Sequence, residues 1–308
     1  MARINGFRFL KRDGRRIWLR EASVERKLLD ALREPDEWFK RSECRIIKEQ
    51  RKIRIGRFEL TINGVSTPVY VKRYNAFSWR YKLVSLFLRS AALRSLRGAS
   101  VLGRIGVHTA KPLAVLESRR WGILSESFFI SEEIASGFTI DNYWWDNLRL
   151  LSGVIGFRRR RRFLRNLAGL FCRLHNAGIY HNDLKDANIL VVTDATGSEV
   201  FYLLDLEGVQ DCFYLSQRRR VKNLVQLNRT LGCLVSGPEK LYWLRHYLGR
   251  DFEDSNVKRR WLGQILRATR RADQKPRKKR DGQPRRYPQR RVRHRTVEKL
   301  AARGDKSG

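Results

Sequence analysis

The sequence predicts an α+β chain of two lobes, a small β-rich N-lobe followed by a mainly helical C-lobe. Three observations predict it. Between Cys44 and Lys72, apolar and polar residues alternate in three short runs, which is strand periodicity. After Phe163, apolar residues recur at three and four positions, which is helix periodicity. A chain of 308 residues that is 42% hydrophobic with eight Trp can bury a core of either kind.

Residues 1–43 are charged and mixed, with helical spacing around "VERKLLDALREPDEWF", and read as an N-terminal extension. The N-lobe is expected over 44–130. "CRII" and "KIRIGRFELTI" are its first strands, Asn63-Gly64 is a two-residue hairpin turn, and "PVYVK" is a third strand opened by Pro68 and ending at Lys72. Residues 77–104 carry Trp79, Leu83, Leu86, Phe87, Leu93, Leu96 and Leu102 at helical spacing. "WGILSESFFI" then reads as a strand closing on Glu132-Glu133.

The C-lobe is expected over 131–255. "FLRNLAGLFCRLHNAG" is a helix stopped at Gly178. "NILVV" and "VFYLLDL" are strands joined by the turn-rich "TDATGS", and "VKNLVQLNRTLGCLV" and "EKLYWLRHYLG" are further helices. Residues 256–308 read as a basic tail, partly disordered, because the stretch from Arg267 to Arg295 is crowded with Lys, Arg and Pro.

Charge narrows the partners. Lys and Arg total 66 against 31 acids, a net charge of +35, which calls for an extended anionic partner: nucleic acid or an acidic membrane face. Cys44, Cys172, Cys212 and Cys233 show no zinc or disulfide spacing and read as reduced thiols. The N-terminus lacks the apolar centre of a signal peptide, and no window has the length of a spanning helix. The expected location is cytoplasmic.

The segment "IYHNDLKDANILVV" packs His181, Asp183, Lys185 and Asn188 between two core-forming stretches. His181-x-Asp183-x-x-x-x-Asn188 has the spacing of a protein-kinase catalytic loop, Asp205-Leu206-Glu207-Gly208 stands where D-F-G would, and "VYVK" has the form of V-A-I-K. Phosphoryl transfer asks for positioned charge rather than covalent help. Asp183 suits an attacking hydroxyl and Lys185 the transferring phosphoryl group, so these two are the expected catalytic residues. Asn188 and Asp205 offer the hard oxygens Mg²⁺ prefers. Lys72 suits the α- and β-phosphates of ATP, and the expected nucleotide contacts are Lys72, Asn188, Asp205 and Glu132. Taken alone, the Asp and Asn are equally ordinary turn formers, and His181 is read as a structural hydrogen-bonder.

"VKRYN", "LRSAALRSLRGASVLGRIGVHTAKPLAVLE", "LHNAGIYHNDLKDANILV", "YLLDLEGV" and "SQRRRVKNLVQLNRTL" together resemble the bacterial lipopolysaccharide core kinases, over roughly residues 44–250. The resemblance implies a bilobal protein-kinase-like fold and an ATP- and Mg²⁺-dependent transfer to a Kdo or heptose hydroxyl. It also implies a lipid A-core acceptor, met by a peripheral enzyme at the cytoplasmic face of the bacterial inner membrane. No protein partner is expected, and nucleic acid is set aside.

Three departures from protein kinases stand out. There is no G-x-G-x-x-G, only Gly56 beside Lys48, Arg51 and Lys52, which meet phosphates or form a solvated hairpin. Arg73 to Leu116 contains no acid, so the helix glutamate that pairs with the strand lysine is missing, with Glu59 and Glu126 as candidate substitutes. Asn182 replaces the Arg of H-R-D, and A-P-E is absent, which speaks against phosphorylation control. Glu207 is either a metal-side oxygen or a surface carboxylate.

The basic aromatic stretch "FSWRYKLVSLFLRSAALRSLR" suits an interfacial helix or an ordinary lobe helix. Arg158–Arg162, placed ahead of the catalytic-loop helix, suit acceptor phosphates. Three rivals remain: a kinase-fold phosphotransferase on another substrate, a nucleic-acid-binding protein using its tail, and an inactive kinase fold.

Overall fold

In a computed structural model, the described residues are 4–12, 14–23, 26–75 and 85–274. They divide into two compact units, one of Met1–Gly137 with Tyr202–Asp211, the other of Phe138–Phe201 with Cys212–Gly308.

The first unit is built on a seven-stranded sheet. Its strands are β1 (Phe7–Arg12), β2 (Arg15–Arg20), β3 (Arg45–Gln50), β4 (Ile53–Ile62) and β5 (Val65–Asn75), then β7 (Pro112–Arg120) and β8 (Ile123–Glu132) after the short β6 (His108–Thr109). The order is β1-β2-β7-β8-β5-β4-β3, every neighbour antiparallel. Asn63 and Gly64 have φ of 52° and 77°, the paired positive values of a type I′ turn. Helix α1 (Arg26–Ala31) and a 3₁₀ turn at Glu37–Lys40 cover one face, placing Leu28, Leu32, Trp38 and Phe39 against Phe58, Val71, Leu116 and Phe128.

Four readings of the sequence take structural form here. The first 43 residues, expected as an N-terminal extension, supply β1 and β2, which join the sheet through β7. β5 begins at Val65, so Pro68 lies inside the strand rather than opening it. Gly56 is a packing glycine: a Cβ there would lie 2.8 Å from Cys44 Sγ and 3.0 Å from Phe39 Cε1. Of the helix expected over 77–104, the described residues form α2 (Ala91–Arg104), which Ser90 caps by accepting from Leu93 N at 3.0 Å. Residues 85–88 form turns ahead of it, and 76–84 lie outside the described residues. α2 buries Ala91, Ala92, Leu96, Ala99 and Leu102, so it is a lobe helix with one apolar face.

The second unit is mainly helical. Strands β9 (Phe138–Thr139), β10 (Ile179–His181) and β11 (Ile189–Thr193) are short, and β12 (Glu199–Leu203) returns after the turn at 194–198. Its helices are α3 (Gly153–Asn176), α4 (Gln217–Asn228), α5 (Gly237–Leu248) and α6 (Ser255–Gln274). α5 starts with a capping box, Ser236 and Glu239 bonding each other's backbone N–H. Phe171, Trp243, Tyr247 and Trp261 form a chain of ring contacts through its core, and each such side chain contributes about 2–3 kcal/mol by burial.

Two further expectations change. The basic tail expected from 256 begins with a 20-residue helix, α6, because Trp261 is buried against Tyr247 at 5.7 Å between centroids. The remainder, 275–308, lies outside the described residues. Arg158–Arg162 are not ahead of the helix but inside α3, and three of them serve the fold. Arg160 donates to Glu239 at 3.0 Å, Arg162 lies 3.3 Å from Glu199, and Arg161 sits over the Phe157 and Tyr242 rings.

Candidate active site

The polar loop follows β10 in the second unit, and its spacing makes it close on itself. Asn188 Nδ2 donates to Asp183 O at 2.7 Å and to Asp183 Oδ2 at 3.2 Å, and Lys185 Nζ contacts the same carboxylate oxygen. Because a carbonyl can only accept, the bond to Asp183 O fixes the amide orientation and leaves Asn188 Oδ1 outside both of these bonds. One carboxylate thus gathers the ammonium and amide that the sequence placed within five residues of it.

The loop is fixed from beneath by neutral groups. Asp183 N donates to His181 Nδ1 at 3.1 Å, which makes His181, 1% exposed, a structural hydrogen-bonder. Asn223 of α4 donates to His181 O at 2.6 Å, and Gln226 donates to Asn182 O at 2.6 Å while accepting from Leu184 N at 3.0 Å. Asn223 Oδ1 lies 3.2 Å from His175 Nε2, and His175 Nδ1 lies 2.8 Å from the Tyr247 hydroxyl. Burial pulls the His175 imidazole down to about 4, so it is neutral and completes an uncharged relay into the loop.

The second chemistry-bearing segment, Asp205–Asp211, belongs to the first unit. Tyr202 and Leu203, at the end of β12, pair in parallel with His108 and Thr109 and deliver Asp205 at φ 56°, ψ 51°. A left-handed Asp is tolerated at modest strain, and it turns the carboxylate toward Lys72, whose Nζ lies 3.9 Å from Oδ1. Lys72 is therefore met by Asp205 itself, and both candidate substitutes are engaged elsewhere. Glu59 accepts from Ser66 at 2.5 Å, and Glu126 binds Arg73 at 3.0 Å. Glu132 closes β8 with its carboxylate on Arg20 at 2.5 Å, and its neighbour Glu133 is gripped by Arg57.

Helix α2 clamps this segment at three places. Arg94 lies 3.9 Å from Glu207, Arg104 bonds Asp211 at 2.7 Å, and Gly98 lets the helix touch the Leu206 carbonyl, where any Cβ would collide. Glu207 is thus neither a surface carboxylate nor bare. Burial and the Asp205 charge hold it above the usual carboxylate range, against the pull of Arg94 and Lys72. The helix that normally offers an acid to the strand lysine here offers a base to an acid of the loop.

The model of the lipopolysaccharide kinase (Kdo/WaaP) family matches residues 37–254. The chain belongs to the lipopolysaccharide kinase (Kdo/WaaP) family. Among solved structures it is similar to WaaP in complex with acyl carrier protein, with a TM-score of 0.59 and 21% identity over 80% of this chain and 95% of that one. At that identity the likeness is one of fold, and the fold is kinase-like. No curated protein matches the chain. Membership makes it a phosphotransferase of lipopolysaccharide.

For this lipopolysaccharide kinase, four positioning residues escaped the sequence reading: Arg94, Gly98, Asn223 and Gln226. A signal existed for the last two, since they stand three apart as uncharged polar residues on the apolar face of α4. Among the described residues, no group of three or more His, Cys, Asp or Glu is placed to hold a metal ion.

Proposed function

We propose that the chain transfers the γ-phosphoryl group of ATP to a Kdo or heptose hydroxyl of the lipopolysaccharide inner core. The observation that carries the reading is the closed constellation of Asp183, Lys185 and Asn188. An acid that accepts from an amide and an ammonium is held in one orientation, placed to take or align a sugar hydroxyl proton. Lys185 neutralises charge on the transferring phosphoryl group, and Lys72 holds the nucleotide phosphates. Glu132 remains proposed as a nucleotide contact through the strand end it occupies. Asn188 and Asp205 are the proposed ligands of Mg²⁺ on the hard-oxygen chemistry of their side chains alone, and the ion when bound would offset phosphate charge. The setting is the anionic cytoplasmic face of the inner membrane, where each nearby basic residue contributes about 1 kcal/mol.

Labelled ATP with Mg²⁺, offered together with deep-core lipopolysaccharide, tRNA and a generic protein, tests the reading. Label should enter lipopolysaccharide alone, and Asp183→Ala should lose at least about 10³ of the rate. Label in the protein, or salt-sensitive tRNA binding without turnover, would replace it with one of the rivals. The similar WaaP structure contains acyl carrier protein, so the expectation of no protein partner is withdrawn, and the same assay with added carrier protein shows whether it changes the rate.

A further inference from the structure

The first unit carries a cleft of about 250 Å³ on the side of its sheet where β2, β7 and α2 meet. Its floor is apolar, from Trp18, Leu93 and the chain at Leu86–Leu88, while Arg16, Arg89 and Arg97 stand around it. Among the described residues, no carboxylate is within ion-pair distance of any of these three arginines. Arg97 is held below the usual guanidinium range, first by burial and then by the charge of Arg89. Two cations that raise each other's cost beside an apolar floor are the arrangement an amphiphilic anion relieves.

The floor also holds an acid. Glu117 is 1% exposed; its Oε2 accepts from Arg119 Nε at 3.1 Å, and its Oε1 has no hydrogen-bond partner among the described residues. A ligand that satisfies the cleft therefore brings both an anionic group and a hydrogen-bond donor.

Beside the cleft stands an apolar ridge that the fold does not require. Phe87 is 88% and Trp121 87% exposed, with Leu86 and Leu88 each about half open. Trp121 occupies the first turn position between β7 and β8 at φ 53°, a conformation costly for a bulky residue and normally given to Asn or Asp. The ridge is nevertheless built. Arg119 donates to Ser85 O at 2.8 Å and to Gly122 O at 2.9 Å, and Ser85 Oγ accepts from Leu124 N at 3.0 Å. An exposed Trp and Phe next to a cluster of arginines is the composition of a surface that enters the headgroup layer of a membrane.

We propose that this face docks on the membrane, the cleft taking the phosphodiester headgroup of an anionic lipid while Phe87 and Trp121 insert beside it. The lipid phosphate meets Arg89 and Arg97, a headgroup hydroxyl donates to Glu117 Oε1, and the first acyl carbons lie over Leu86–Leu88. The inference gives the membrane setting of the proposed function a place on the molecule and rests on that reading for its setting alone.

Dihexanoyl phosphatidylglycerol below its micelle concentration is the probe, with dihexanoyl phosphatidylcholine and inorganic phosphate as comparisons. The wild type and a charge-matched control, Arg259→Ala with Arg260→Ala on the exposed face of α6, should bind the glycerol lipid alike. Arg89→Ala with Arg97→Ala should bind at least about tenfold more weakly while keeping its melting temperature and ATP affinity. The choline lipid, which lacks a donor, should also bind about tenfold more weakly. Equal losses in both double variants would reduce the effect to net charge, and phosphate binding as tightly as lipid would make this a free-anion site; either overturns the proposal. Phosphorylation of detergent-solubilised lipopolysaccharide by Arg89→Ala with Arg97→Ala is read in parallel, so that lipid docking can fail while the kinase reading stands.

Discussion

The loop at 183–188 and the segment at 205–211 carry the candidate chemistry, and they are held in opposite ways. The side chains that hold the first from beneath are neutral, Asn223, Gln226, a neutral His175 and the Tyr247 hydroxyl, with Arg220 one step further out on the His175 carbonyl at 3.0 Å. The second is held by charge, with Asp205, Glu207 and Asp211 each facing a cation from β5 or α2. In a chain with 31 acids and 66 bases, a carboxylate is easily captured by the wrong cation. Amide scaffolding keeps Asp183 for Lys185 and Asn188 and is indifferent to salt, whereas the ion-paired segment is open to screening and to pH.

The largest effect expected from this contrast is a pH dependence lodged in the neutral scaffold. His175 titrates at about 4 in the folded protein and at 6.5 when unfolded, so its contribution is complete above pH 6.5 and is lost as pH falls toward 4. Over that window the wild type should lose roughly 3 kcal/mol more stability than His175→Gln, by the linkage of pKa to folding. Urea unfolding at half-unit pH steps measures it. Parallel curves for the two proteins would mean that His175 is not held neutral.

Next in size is Gly98. In an ordinary helix Gly→Ala gains about 1 kcal/mol. Here the new methyl meets a backbone carbonyl that can retreat only by shifting the Asp205 segment, so Gly98→Ala should lose about 2 kcal/mol net and weaken ATP binding. A variant as stable as the wild type would show that α2 does not press on Leu206, and the comparison would lose its second half.

How far the sequence could anticipate this contrast depended on how local each part is. Asp183, Lys185 and Asn188 were legible because one turn of chain brings them together, and the strands of β4 and β5 because alternation and the Asn63-Gly64 turn are short-range. β1 and β2 were missed although Gly14 marks a turn between alternating runs, since the charged residues of "FRFLKR" and "RRIWLR" hid the strand period. α6 was absorbed into a basic composition that concealed Trp261. The clamp by α2 was out of reach for a different reason. The kinase pattern predicts a glutamate on the helix, whereas Arg94 and Gly98 are ordinary helix-surface residues until the distant Glu207 and Leu206 are folded against them. Glu207, read without that helix, could only look like a metal-side oxygen or a solvated acid.

The smallest stability effect expected is also the one that sharpens the comparison most. Burial and Asp205 raise the Glu207 acid further than Arg94 and Lys72 lower it, so the ionised carboxylate costs the fold more than its partners return. A raised acid binds its proton more readily when folded, so Glu207→Gln should be as stable as the wild type or more so at pH 7, by no more than about 0.5 kcal/mol for a pair this exposed. The difference should close before pH falls to 4.5, because the raised wild-type group takes up its proton above that value. Activity should move the other way. Without a charge for Arg94 to hold, the Asp205 segment is less well placed, and kcat should drop about tenfold with KM for lipopolysaccharide unchanged. Thermal melting and steady-state kinetics on the same variant separate the two effects. If stability and rate fell together, the α2 pair would be a fold contact like those beneath Asp183; if the rate alone fell, its charge serves to position Asp205.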